Sequence, residues 1–190
     1  MLFKRLILHI KQLILSPVKE WTYIQSRPLS QKSLYLHFAF PLITLISLAD
    51  TISTTKWRGL YTFIDSFVIF IAQFTIYSLT TILFAMIVNE LIKSFGGKKD
   101  KNMASNLAIL SIIPFYLAMI PANLIPDLFF LGLAGLYSIF VFYQGLLILF
   151  KINEEKKVGF IFIAFLIFIG IFESLQWIIL VSVRALLRII

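Results

Sequence analysis

The sequence predicts an all-α polytopic membrane protein, a bundle of five transmembrane helices preceded by amphipathic helices at the membrane interface. Three observations predict it. Five long apolar stretches run from Leu34 to the C-terminus. The segments between them are alternately rich and poor in Lys and Arg. Hydrophobic residues make up 60% of the chain and charged residues only 14%, with a mean hydropathy of +0.96, far from the composition of soluble globular domains.

The N-terminal segment, residues 1–33, reads as a cytoplasmic interfacial region. Lys4 and Arg5 precede an apolar run as in a signal peptide, but His9, Lys11 and Gln12 interrupt it and no small-residue cleavage site follows. Wound as a helix, Leu2, Phe3, Leu6, Ile10, Leu13 and Ile14 share one face, with Lys4, Arg5, Lys11 and Gln12 largely opposite. Ser16 followed by Pro17 reads as an N-cap and first helical position, opening a second short helix with Glu20, Trp21 and Ile24 that ends at Pro28.

Residues 34–190 form the membrane domain. A helix needs about 20 apolar residues to cross a hydrocarbon core of about 30 Å. Five segments reach that length, at 34–53, 60–93, 103–124, 127–150 and 158–187. Short connections predict helices packed beside their sequence neighbours. Thirteen of the Lys and Arg residues fall before the first span, between the second and third, and between the fourth and fifth; four fall on the other side. The positive-inside rule then places the N-terminus in the cytoplasm and the C-terminus outside, the arrangement an odd number of spans requires. Trp21 and Tyr35 fall at the inner interface and Trp57, Tyr61 and Trp177 at the outer one, where amphipathic rings sit. The net charge of +8 lies in short loops beside apolar segments, so it reads as orientation and attraction to anionic headgroups, with no nucleic-acid binding. Cysteine is absent, which excludes disulfides and thiolate chemistry.

Glu173 is the polar residue that stands out within a span. Counting from Gly159 places it roughly 20 Å from the inner boundary, still within hydrocarbon. An ionised carboxylate facing lipid costs several kcal/mol, so it is expected to face the bundle, pair with a cation or be protonated. It reads either as a proton- or cation-linked site with Gln176, or as an internal hydrogen bond to Gln176 or a pairing with Arg184 or Arg58. Gln73, Tyr77, Thr80 and Thr81 recur at helical spacing and form a polar stripe toward other helices, with packing as the default role. Together with Asp65 and Gln144, the residues Glu173, Gln176 and Gln73 make up the candidate intramembrane polar site. Asp50 and Asp127 read as helix-end residues, the latter as an N-cap, and Asp65 and Glu90 reach interfacial water. Asp50, Asp65, Asp127 and Glu173 all lie toward the outer side, which permits an acidic vestibule. Gly132, Gly135 and Ser138 follow at three-residue spacing, and Pro114 sits near mid-span, where it frees a backbone carbonyl.

No catalytic motif is present. There is no H-E-x-x-H, G-x-S-x-G or Walker loop, and Gly96-Gly97 ends the second helix. His9 and His37 are far apart in sequence, and neither has a nearby acid suited to a metal site. The expectation is a non-enzymatic chain with no cofactor and no metal.

Several local signatures occur in order along the chain: Pro17-Val18-Lys19-Glu20-Trp21-Thr22-Tyr23-Ile24, Pro41, Lys93-Ser94-Phe95-Gly96-Gly97-Lys98, Ala104, Pro114, Leu136-Tyr137-Ser138 and Tyr143-Gln144-Gly145-Leu146. In these and in its five spans the chain resembles the Yip family of Ypt/Rab-interacting multispan membrane proteins, in the compact form of a bacterial-type member. The resemblance implies a role in membrane trafficking or membrane organisation. Eukaryotic relatives are associated with Rab GTPases, vesicle budding and membrane shaping. Their D-L-Y-G-P-type motif has no counterpart before Leu34, and no long tail precedes it, so small-GTPase binding is doubtful for this chain. The preferred expectation is a membrane adaptor or organiser in the bacterial cytoplasmic (inner) membrane. It engages anionic lipid, and a membrane-protein partner or a second copy of itself, through Trp21, Lys98, Lys99 and Lys101. The alternative is a small transporter or channel using Glu173 and Gln176.

Overall fold

In lipid every backbone N–H and C=O must be satisfied within its own segment, and the chain meets this demand with helices throughout. The computed structural model describes residues 2–58, 62–150 and 152–187. Tyr61, Lys151 and Arg188 lie outside the described residues, as do the side chains of residues 2–6, Trp57, Arg58 and Arg184, so the expectations placed on them are not addressed. Among the described residues there is no strand, and five helical segments are long and apolar enough to cross a membrane: Gln31–Lys56, Phe63–Ser94, Lys101–Leu124, Asp127–Leu149 and Glu155–Val183.

Two helices precede the first span, α1 (Leu2–Leu15) and α2 (Pro17–Ser26). Pro17 occupies the first turn of α2, where its missing N–H costs nothing, and the chain leaves the helix at Arg27 before Pro28. The first span opens with a single turn, α3 (Gln31–Ser33), passes through a π-helical segment at Leu34–Ala39 and continues as α4 (Phe40–Arg58). The widened turn has a local cause. Pro41 has no N–H and its ring collides with the carbonyl four residues back, that of His37; in the wider turn Phe40 N–H reaches Tyr35 O instead.

The second span, α5 (Phe63–Ser94), is about 48 Å long at 1.5 Å per residue. Thr62 caps it by accepting from Asp65 N–H at 3.1 Å, so Asp65 serves the helix start. Gly96, at φ 87°, ends it, and Gly97 N–H returns to Ile92 O at 2.8 Å. The third span, α6 (Lys101–Leu124), is capped by Asp100, which accepts from Asn102 and Met103 N–H. It is the central helix: Ala104 to Pro114 are all buried, and it packs against α4, α5 and the fourth span.

The fourth span departs from expectation. Its first half, Pro126–Leu136, is a 3-10 helix, and only Tyr137–Leu149 (α7) is α-helical. Residues three apart eclipse one another in a 3-10 helix, so Gly132 and Gly135 fall in one line, which lies against α6, and Ser138 follows in the first turn of α7 and also meets α6. A Cβ at Gly135 would stand 2.8 Å from the Phe115 ring and 3.3 Å from Phe115 Cα. Asp127 is not the N-cap; Ile125 holds that position and Pro126 follows it.

The last span, α8 (Glu154–Leu187), corrects the expectation of sequence-neighbour packing. It packs chiefly on α5 and touches α7 only slightly, because α7 already has α2 and α6 against it. Phe160, Ala164 and Phe168 form its buried stripe, while Phe162, Leu166, Ile169 and Trp177 face outward, as lipid-facing side chains do. The α1–α2 pair, the start of the first span, the 95–100 connection and the α7–α8 link lie at one end of the bundle, called here the collar end.

Candidate functional site

The collar is fastened to the bundle by side chains on α2, α6 and the fourth span. Pro17, Trp21 and Ile24 recur at helical spacing and are buried. Trp21 has no exposed surface, and its indole N–H donates to Val141 O at 2.9 Å. It fills the space left by Gly145, where a Cβ would stand 2.7 and 2.8 Å from the indole ring. Gln25 donates to Ile148 O, and Tyr137 OH donates to Ile14 O at 2.8 Å. Asn106, buried on α6, clamps the link between α2 and α3 through both backbone groups of Leu29, at 2.9 and 3.3 Å. Gln31 donates to Ser105 Oγ at 3.0 Å. The expectation that Trp21 meets lipid or a partner is therefore corrected: the helix turns its indole inward, and its contacts are intramolecular.

Beside this dock lies a cleft of about 860 Å³ between α1, α2 and the start of the first span. Glu20, 2% exposed, accepts from Nδ1 of His9 across the α1–α2 turn. The His9 ring also lies 5.8 Å from those of Tyr23 and Phe38, and His37 lines the same cleft. The expectation concerns acids suited to a metal site, and the His9–Glu20 contact is a single pair of another kind. The turn at Ser16-Pro17 folds α2 back over α1 and brings residues 9 and 20 together, a proximity that sequence spacing does not reveal.

The basic connection after α5 is tied to neighbouring elements by polar contacts. Lys98, Lys99 and Lys101 are exposed; Lys99 pairs with Glu90 of α5, and the Lys101 carbonyl accepts from Gln31 at 3.3 Å.

Within the membrane region the expected polar residues separate. Gln73 and Gln176 come together, with Gln176 Nε2 donating to Gln73 Oε1 at 3.3 Å, which ties α8 to α5. Gln73, Tyr77, Thr80 and Thr81 are all buried, so the α5 stripe does face other helices. Glu173 is exposed on α8, well around the helix from the Phe160–Ala164–Phe168 stripe, and forms no hydrogen bond or ion pair with a described residue. Of the three alternatives expected for it, facing the bundle is not the one observed, because α8 buries only one narrow stripe against α5; the side chains of Arg184 and Arg58, its expected cation partners, lie outside the described residues. Asp65 and Gln144 are half-buried, and no hydrogen bond joins either to the glutamine pair.

Sequence reasoning missed the strongest polar contact, which joins α4, α5 and α6. Asp50 accepts from Tyr77 OH at 2.6 Å and from Asn123 Nδ2. Tyr77 packs edge-on against Tyr116 with centroids 5.4 Å apart, and Tyr116 OH meets Thr81 Oγ1 at 2.9 Å. The sequence reads Asp50 as a helix-end residue, but α4 continues to Arg58 and holds it against its neighbours. The available signal was Asn123, an amide among apolar residues two positions after Pro121. Among the described residues no three acidic or histidine side chains gather closely enough to hold a metal ion.

A family model described as the Yip1 domain matches residues 11–175. The chain belongs to the Yip1-domain family. No curated protein and no solved structure gives a match. The Yip1 match takes in α2, the four earlier spans and α8 as far as Leu175, so the Trp21 dock, the Lys98–Lys101 connection and the Asp50 cluster lie within it, as does Glu20, while His9 on the other wall of the cleft precedes it. With its five apolar helices, this Yip1-domain chain is an integral multi-pass membrane protein.

Proposed function

We propose that this Yip1-domain protein is a non-enzymatic membrane adaptor or organiser, with its collar and N-terminus on the cytoplasmic side of a bacterial inner membrane and its C-terminus outside. The observation that carries the reading is the docking of α2 through Trp21 and Gly145. A helix fixed to the bundle by one face presents its other, charged face in a constant position, which suits recognition of headgroups and of a partner protein. The uneven distribution of Lys and Arg supports the orientation. The intramembrane polar groups support the adaptor reading as well: Asp50, Tyr77 and Asn123 bind one another, as do Gln73 and Gln176, so these groups join helices. Lys98, Lys99 and Lys101 lie at the collar end, where they would meet anionic lipid and a membrane-protein partner or a second copy.

Affinity purification from native membranes in mild detergent tests this reading. Wild-type protein is expected to recover a stoichiometric protein partner, and the triple reversal Lys98→Glu, Lys99→Glu, Lys101→Glu to lower that recovery at least about fivefold at equal expression. Undiminished recovery by the triple variant would remove the connection from the partner surface.

A further inference from the structure

The two faces of α2 serve different purposes. Pro17, Trp21 and Ile24 dock on the bundle, whereas Lys19, Tyr23 and Arg27 recur at four-residue spacing on another side and line the cleft of about 860 Å³. The opposite walls carry His9 from α1 and Ser33 and His37 from the first turns of the first span. Two cations and two imidazoles thus line one cleft with a single acid, Glu20. That acid is buried and already engaged by His9 Nδ1, which leaves the Nε2 edge of the His9 ring uncommitted. Lys19, Tyr23 and Arg27 are exposed, and none of their side chains forms a hydrogen bond or ion pair with another described residue. Clustered donors of this kind, including a guanidinium, suit a phosphate group, which accepts several charge-assisted hydrogen bonds at once. The position of the cleft narrows the ligand further. It opens where the first span begins, and Leu8 and Phe38 add apolar surface to its wall.

We propose that this cleft binds the phosphate of an anionic phospholipid headgroup, one lipid per chain, with Lys19 and Arg27 on the phosphate and the lipid's glycerol and upper acyl chains against Leu8 and Phe38. The inference deepens the collar reading above and rests on the collar lying at the headgroup level. It assigns a defined site where general attraction of basic loops to an anionic surface would give none.

Native mass spectrometry of the full-length protein, delipidated in detergent and titrated with phosphatidylglycerol, phosphatidylcholine or inorganic phosphate, tests the site. One phosphatidylglycerol per chain is expected at concentrations where phosphatidylcholine is not retained. The double variant Lys19→Gln, Arg27→Gln should bind it about tenfold or more weakly, since each charge-assisted bond is worth a sizeable factor. Both residues are exposed, so the fold should survive. The control Lys93→Gln, Lys156→Gln removes the same charge from exposed positions outside the cleft and should change binding less than about threefold. Equal retention of the two lipids, or equal losses in the two double variants, would overturn the proposal by reducing binding to general electrostatics. Displacement of the lipid by inorganic phosphate at equal concentration would identify the ligand as a soluble phosphate and overturn the lipid assignment. Partner recovery with the Lys98–Lys101 variant is a separate readout, so either reading can fail while the other stands.

Discussion

Gly145 and Gly170 sit in different surroundings, and the same substitution at each should act in opposite directions. A Cβ at Gly145 would fall 2.6 Å from Leu107 and 2.7 Å from Trp21, in the dock between α2, α6 and α7. Gly145→Ala should therefore destabilise the protein by about 1–3 kcal/mol through overpacking. Gly170 on α8 has nothing within 4 Å, and Gly170→Ala should be neutral or stabilise by about 0.5–1 kcal/mol through helix propensity. Thermal unfolding in detergent checks both; a higher midpoint for Gly145→Ala than for Gly170→Ala would contradict the packing. Trp21 shows what the sequence discloses at this scale. Its level at the collar end was legible, because aromatic rings favour the interface. Its inward direction was not, since the acceptor Val141 lies 120 residues along the chain and nothing in the local pattern points to it.

At the scale of elements, the number and approximate extent of the spans were legible because hydrocarbon thickness dictates length and apolarity. Their internal geometry was not, and the fourth span shows why. The three-residue spacing of Gly132, Gly135 and Ser138 signals a close approach, which an α-helix could also provide. The choice of a 3-10 helix accompanies packing against α6, where Pro114 disturbs the hydrogen-bond ladder and Phe115 N–H donates to Ser138 Oγ at 2.8 Å. Ser138→Ala would remove that acceptor from a partly buried N–H, at a cost of about 1 kcal/mol. Ser138→Thr retains the hydroxyl and separates loss of the bond from loss of space. Chemical unfolding of the two variants measures the difference, and a neutral Ser138→Ala would remove the bond from the account. The placement of α8 on α5 was likewise hidden. Short links constrain where helix ends lie but not which faces are already occupied.

For the molecule as a whole, charge carries the argument. The alternation of Lys and Arg was legible directly, because insertion reads loop charge one segment at a time. The candidate sites were legible only in part. Gln73 is identified from the helical spacing of its polar stripe and Gln176 from its association with Glu173, and the structure joins them; the sequence does not connect Asp50 and Asn123, since they come from spans that meet only in three dimensions. The His9–Glu20 cleft escaped notice because two short helices had to fold onto each other to form it. The adaptor reading depends on the collar facing the cytoplasm, and the cysteine-free sequence permits a direct test. Single cysteines placed at Asn153, exposed in the α7–α8 link at the collar end, and at Ile125, 49% exposed at the opposite end, can be challenged in intact cells with a membrane-impermeant maleimide. The account predicts labelling of Ile125→Cys in intact cells and of Asn153→Cys only after the membrane is opened. The reverse pattern would put the collar outside and contradict the cytoplasmic adaptor.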